Sequence, residues 1–565
     1  MKKSSNVINV LLIILCVCIV AVGISAIFIF GFNSGNNQGF NNNNNSNNGV
    51  AEVIKEDGTD KLVEYRDANL ENNKAVFTYQ DVNEKAHQPF TPSLGEVNIL
   101  VVPIEFDTTS ITFTKRGTVF REVAEIKPYT SSDLSAIEAT FNGSRSDGTN
   151  SYWESVASFY EKSSYGKLNL NFEIADPYSP SMSAESFLKM EDLNSNSASG
   201  SIALIDEILK NGYQVNGIQY DLFEGNHNVV SKFDVNDDNY VDGIWLIYNS
   251  KNADFPSSDN QPFWAYTTNY IREFNDGIVT GTRYANCALS FLFDGNANGE
   301  DAHTIIHETG HMLGLDDYYS YDNKSNYGYL GGIDMMDLNI GDHSSFSKYA
   351  LGWTSPTVVY EKSSTITLKP FAESGESLII PSSYYNDSAF SEYLILEYKT
   401  PTGLNELDYD KHYQTEYPNV FGSGLAIYHV DARLIKHEIR QNGVYFCTDY
   451  LDETLNEIPE ITSGNSGEEV YLVANSNTPS YNAVSDTYAL VRLISKQRIL
   501  YDQDEGISRV ASTNQDLYQA GDECSLNNIS RFFAYNSFNN GTPLSDLSIK
   551  VTSMDASGIT LEINR

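Results

Sequence analysis

The stretch His307-Glu308-Thr309-Gly310-His311-Met312-Leu313-Gly314-Leu315-Asp316-Asp317 decides how the rest of this 565-residue chain is read. In a helix, His307 and His311 stand one turn apart on the same face, so both imidazoles reach a single metal ion. Glu308, beside the first histidine, is placed to take a proton from a metal-bound water without being a ligand itself. Gly314 suits a sharp left-handed turn at the helix end. That turn swings Asp317 back towards the histidines as the expected third ligand, with Asp316 competing for the role. Three protein donors leave one position for water, the mark of a catalytic rather than a structural zinc centre. A Gly and an acid at these further spacings make chance matches roughly a few hundred-fold rarer than HExxH alone. His303 lies four before His307 and offers another pairing. Only the 307/311 frame, however, has Glu beside the first His and a Gly-turn-acid after the second. His303 is expected to pack or to support the ligands.

Composition narrows the setting. With 36 Lys+Arg against 75 Asp+Glu, the net charge of -39 argues against a nucleic-acid partner, which needs a basic surface. Tyr (37) and Phe (28) are plentiful, so a packed core is expected despite the acidity. Lys2 and Lys3 precede an apolar run from Val7 to Phe32 that is long enough to span a bilayer. It lacks a clean small-x-small cleavage site, so residues 1–32 read as an uncleaved signal anchor with everything downstream outside the cell. The alternative is a cleaved signal and a secreted protein. Residues 33–49, rich in Asn and Gly, read as a flexible tether. Beyond the anchor only Cys287, Cys447 and Cys524 remain, too few for a disulfide scaffold.

Residues 50–94 read as a pro-segment or N-terminal extension, with a short candidate strand at Lys74–Tyr79. From 95 to 355 the pattern is α+β. Candidate strands lie at Asn98–Phe106, Lys167–Phe172 and Gly243–Tyr248, and Pro103 suggests an edge or a bulge. Helical stripes are formed by Leu134, Ile137 and Phe141, by Trp153, Val156, Ala157 and Tyr160, and by Ile202, Ile205 and Leu209. Across 356–565 helices nearly vanish. Strands at Thr365–Leu368, Glu392–Glu397, Gly424–Val430, Leu547–Val551 and Ile559–Ile563 predict a β-sandwich-like region.

Two further patterns carry chemistry. In Asp234–Gly243, oxygen side chains alternate: Asp234, Asn236, Asp238 and Asp242, with the Tyr240 carbonyl, make a candidate calcium loop. It departs from an EF-hand, with Asn239 at the glycine position and Trp245 where the bidentate Glu belongs. An acidic turn before a strand is the competing interpretation. Downstream, Gly331-Gly332-Ile333-Asp334-Met335-Met336-Asp337 looks like a Met-turn, in which Met336 packs beneath the metal.

These motifs resemble the immune inhibitor A family of secreted bacterial zinc metallopeptidases. The resemblance rests on the 307–317 run, the Gly332–Met336 turn, Ser347-Lys348-Tyr349-Ala350-Leu351-Gly352-Trp353, Ser164–Leu168, the Asp-rich loop and Gly424–Asp431, and it covers roughly residues 95–435. It implies a zincin- or metzincin-like catalytic domain, with His307, His311 and Asp317 as zinc ligands and Glu308 as general base. Members commonly carry Pro before the acidic ligand, where this chain has Asp316. The anchor and tether also set it apart from freely secreted relatives. The implied activity is hydrolysis of peptide bonds in protein substrates, with Tyr349 a candidate helper at the oxyanion. The competing expectation is a catalytically inactive surface adhesin on the same scaffold, against which the intact Glu308 argues.

Overall fold

A computed structural model describes residues 78–85, 88–107, 110–115, 118–143, 154–190, 199–250, 263–293, 300–321, 329–383, 385–406, 408, 422–439, 445–446, 469–478, 482, 488–497, 512–525, 529–530, 532–533 and 536–565. The expected anchor at 1–32, the tether at 33–49 and Cys447 lie outside the described residues, among which no helix is long and apolar enough to cross a membrane. Cys287 and Cys524 are free and buried.

Strands β1 (Gly95–Ile104), β2 (Leu168–Ile174), β3 (Val241–Tyr248), β4 (Tyr266–Glu273) and β5 (Val279–Ala288) form one sheet in the order β4–β5–β3–β1–β2. All neighbours run parallel except β4, which is antiparallel to β5. Because strand side chains alternate, each central strand feeds two cores. Val97, Ile99, Val101, Trp245 and Ile247 join one, and Leu100, Val102, Ile104, Ile244 and Leu246 join the other. Helices α1 (Tyr79–Lys85), α2 (Ser131–Asn142) and α3 (Val156–Ser163) contribute to the first core, α4 (Ser199–Asn211) to the second, and α5 (His303–Met312) to the first again. The architecture is mixed helix and sheet.

Local chemistry explains where the elements begin. Thr130 and Ser155 each accept the backbone N–H three residues on, in capping boxes that start α2 and α3. The helix expected around Trp153 therefore starts only at Val156, and Trp153 is outside the described residues. Pro103 is not on an edge strand, since β1 lies between β3 and β2. The carbonyls of Val101 and Pro103 point to the β2 side, accepting from Ala175 and Tyr178. The N–H that proline lacks would point there too, just past Ile174 where the β2 ladder stops. Tyr79, placed in a candidate strand by sequence, opens α1 instead; residues 74–77 are not described.

Residues 78–94 are woven into the body rather than laid over it. Tyr79 and Val82 belong to the first core, and Phe90, Thr91 and Ser93 are buried. The Trp353 indole N–H donates to the Ser93 carbonyl at 2.8 Å, and Thr91 N–H donates to the Met312 carbonyl at the end of α5.

Two of the three sheets described in the C-terminal part share its core. Strands β6 (Thr357–Val358), β7 (Ser363–Leu368), β8 (Ser377–Pro381), β9 (Glu392–Lys399), β10 (Gly424–Asp431), β11 (Val491–Leu493), β12 (Glu523–Ser525), β13 (Ser548–Asp555) and β14 (Gly558–Asn564) pair as β6–β8–β9–β10–β11 and β7–β14–β13–β12. Leu394, Leu396, Leu425 and Ile427 share a core with Val551, Leu561 and Ile563 of the second sheet. The opposite face of β9 and β10, with Tyr393, Ile395, Ala426 and Tyr428, enters the same core as the α5 helix. Both strands are buried at every position for that reason. Polar bonds reinforce the join: the Asn477 amide donates to the Tyr318 and Val491 carbonyls at 2.9 and 2.8 Å and accepts from Val491 N–H. Replacing Asn477 by Ala strands these buried groups, so the Asn477→Ala protein is expected to lose about 2–4 kcal/mol of stability. Denaturant unfolding checks this.

Candidate metal centre

The ligand helix α5 is held from below before any ion is considered. Tyr160 donates its hydroxyl to the Ile306 carbonyl at 2.7 Å. Gly310 faces α6 (Met335–Leu338) so closely that a Cβ there would lie 2.6 Å from the Met336 sulfur. Met336 thus packs against the helix between the two histidines, and only glycine at 310 leaves it room. Asp334 caps α6 by accepting from Met336 N–H at 2.7 Å and also accepts from Ser344 N–H.

Both histidines are fixed through their inner nitrogens. His307 Nδ1 bonds the Met335 carbonyl and His311 Nδ1 the Leu315 carbonyl, each at 2.8 Å. A carbonyl only accepts, so Nδ1 carries a proton and Nε2 is the nitrogen turned towards Asp317, the one a metal would take once its proton is released. Gly314, at φ +106°, turns the chain after α5. It must also stay bare because Tyr79 Cβ sits 3.0 Å from where its own Cβ would be. Beyond this turn Asp317 Oδ1 comes to 2.9 Å from His307 Nε2 and 3.3 Å from His311 Nε2. His307, His311 and Asp317 are the one group of three metal-ligating side chains brought together among the described residues.

Asp316 stays outside that group. Its Oδ1 accepts the Asp317 N–H at 3.0 Å, and burial, with the Asp317 charge adding, pushes its carboxyl up to about 7. Asp317 goes the other way. Burial works against its ionisation, but His311 and bonds from both imidazoles hold it well below the usual carboxylate range. His311 is lowered by burial yet raised more by Asp317, to about 9.

Two residues that the sequence did not single out complete the arrangement. The Tyr321 hydroxyl donates to Asp317 Oδ2, the oxygen facing away from the imidazoles. The Thr267 hydroxyl, on β4, lies 3.0 Å from Glu308 Oε2 and 2.9 Å from the Glu308 carbonyl. Burial raises the Glu308 carboxyl, and His311 and His307 pull it partly back.

His303 supports the site, as expected. Its Nδ1 lies 2.5 Å from Asp301 Oδ1 and its Nε2 3.1 Å from Asp408 Oδ1. Burial opposes its charge, but the two carboxylates prevail and push it up to about 10, so it is an imidazolium pinning the start of α5. Tyr349 does not join the ligands: buried on α7 (Ser345–Ala350), it meets the Tyr385 hydroxyl at 3.0 Å.

In the Asp234–Asp242 loop the carboxylates accept from backbone donors. Asp234 accepts from Asp238 and Asn239 N–H, Asp238 from Tyr240 N–H, and Asp242 from Val235 N–H at 3.0 Å. Asn236 donates to Asp238. These carboxylates fold the turn through backbone donors.

No family model matches the chain, and no curated protein matches it.

If this group holds zinc, Asp317→Ala is expected to strip it, Asp316→Ala to keep it, and Tyr321→Phe to weaken it by about 10-fold, the cost of losing a partner that orients a ligand. Metal content and chelator competition give the order, and equal loss in the 316 and 317 variants would contradict the geometry. A second expectation concerns Asp242, whose carboxyl burial pushes up to about 8. Unfolded, it ionises near pH 4; folded, it keeps its proton until about 8, so stability falls as pH rises through that window. Asp242→Asn keeps the acceptor for Val235 and removes the charge, so its melting temperature should drop less between pH 5 and 8. A calcium-induced rise in melting temperature, present in wild type and lost in this variant, would place an ion in the loop.

Proposed function

We propose that the chain is a zinc-dependent endopeptidase of metzincin-like type, similar in kind to the immune inhibitor A family and working outside the cell from a membrane anchor. The single observation that carries this reading is Asp317 Oδ1 lying within 2.9 and 3.3 Å of two Nε2 atoms whose Nδ1 protons are committed elsewhere. Two imidazoles, which give up their Nε2 protons on binding a metal, and one carboxylate are the donor set of a catalytic rather than a structural zinc. The residues present fit the ion. His307, His311 and Asp317 would hold it; when bound, zinc lowers the pKa of a coordinated water towards ~7 and polarises a carbonyl.

The remaining work falls to the chain's own groups. Glu308 accepts the proton of the attacking water and passes it to the departing amine, so one carboxylate serves as base and then as acid. Its buried setting keeps competing water away from that transfer. A peptide substrate suits strand β4. Among the described residues β4 has a strand partner on one side only, so its other edge offers backbone donors and acceptors to an extended chain. Thr267 of that strand touches Glu308, which puts the pairing edge beside the base.

The net charge of -39 and the apolar run before residue 33 support an extracellular, tethered protein. Glu308→Gln tests the mechanism. It is expected to keep zinc at wild-type occupancy and lose peptidase activity by about 100-fold or more, the general-base contribution. Turnover equal to wild type on a mixed peptide library would remove Glu308 from the chemistry.

A further inference from the structure

We propose that Thr267 is the positioning residue for the Glu308 base, an assignment that deepens the peptidase reading and rests on it. A carboxylate has two oxygens of equal basicity and rotates about its last bond; as a base it acts fastest when one oxygen is held towards the water and the other is spent elsewhere. In this site the Thr267 hydroxyl lies 3.0 Å from Glu308 Oε2. The same hydroxyl lies 2.9 Å from the Glu308 backbone carbonyl. Its single proton is shared between these two acceptors in a bifurcated bond, which ties the carboxylate to its own turn of helix.

The consequence is a choice between oxygens. With Oε2 accepting the threonine proton, Oε1 is the oxygen that takes a proton from water. When Oε1 is protonated, Oε2 becomes the carbonyl oxygen of the acid and still accepts from Thr267. The bond thus survives the transfer, and the carboxyl need not rotate before releasing its proton to the leaving group.

Placement on β4 adds a second consequence. Along this strand Tyr266 and Tyr270 turn towards α4, bonding Ser201 and Asp206 at 2.6 and 2.8 Å. Thr267, one residue on from Tyr266 and therefore on the opposite face, turns towards α5. The strand is thereby anchored behind by tyrosines while its threonine reaches the base in front. A β-branched threonine suits the strand, and valine has nearly the same shape without the hydroxyl.

That isosterism makes the test clean. In the full-length protein, Thr267→Val is expected to lower kcat by about 10- to 100-fold, the worth of a hydrogen bond to a charged group, with KM and zinc content near wild type. Thr267→Ser, which restores the hydroxyl, should recover most of the rate. A crystal structure of Thr267→Val should show the Glu308 carboxyl displaced or in more than one rotamer. Unchanged kcat in Thr267→Val, or a Thr267→Ser variant as slow as the valine one, would overturn the assignment. An unmoved Glu308 carboxyl would overturn it as well. If wild type cleaves no peptide but the carboxyl is displaced in Thr267→Val, the peptidase reading fails and the positioning stands. A melting curve on each variant separates loss of rate from loss of fold.

Discussion

Two imidazoles and a carboxylate gathered in a buried pocket stay there only if something other than their mutual attraction holds them. That constraint organises this molecule. Each histidine is tied through Nδ1 to a backbone carbonyl, one from Met335 and one from Leu315 in the turn after α5. Asp317 is tied through its outer oxygen to Tyr321. Preorganisation of this kind separates a metal centre from a chance meeting of polar side chains, because ordering has been met during folding rather than at binding.

The supports reach far into the chain. Gly331, which opens the Met-turn, offers its carbonyl to Ser512, and Gly341, just beyond the turn, gives its N–H to Asp408. Asp408 also faces His303 at the head of the ligand helix. The segment that follows Asp317 is caught by Asn477 and Thr478. The C-terminal sheets are therefore part of the frame around the centre. One face of β9 and β10 closes the core beneath α5 and the other packs within the sandwich. The same strands serve two cores, which explains why Tyr393–Leu396 and Leu425–Tyr428 are apolar at successive positions.

Much of this was legible in the sequence where spacing alone dictates geometry. Positions 307 and 311 share a helix face at any site, and Gly314 permits the turn. Short apolar stretches announced eight of the strands, β1, β2 and β3 among them, but neither β4 nor β5. What stayed hidden depends on contacts between residues distant in the chain. Thr267 reaches Glu308 across 41 residues, and His303 meets Asp408 across 105. No local pattern marks either. Tyr349 misled for the same reason: its place near a motif said nothing about its hydroxyl, which Tyr385 takes up in the core. Pro103 misled because an edge strand and a neighbour's early end look alike to the proline.

The central claim is that this pocket binds zinc through two histidines and one aspartate. X-ray absorption at the zinc edge of gently purified protein tests it most directly, since the first shell reports ligand type and distance together. The account predicts a strong edge, imidazole scattering, and only nitrogen and oxygen neighbours at about 2.0–2.2 Å. An absent edge, or a sulfur neighbour at about 2.3 Å, would contradict it.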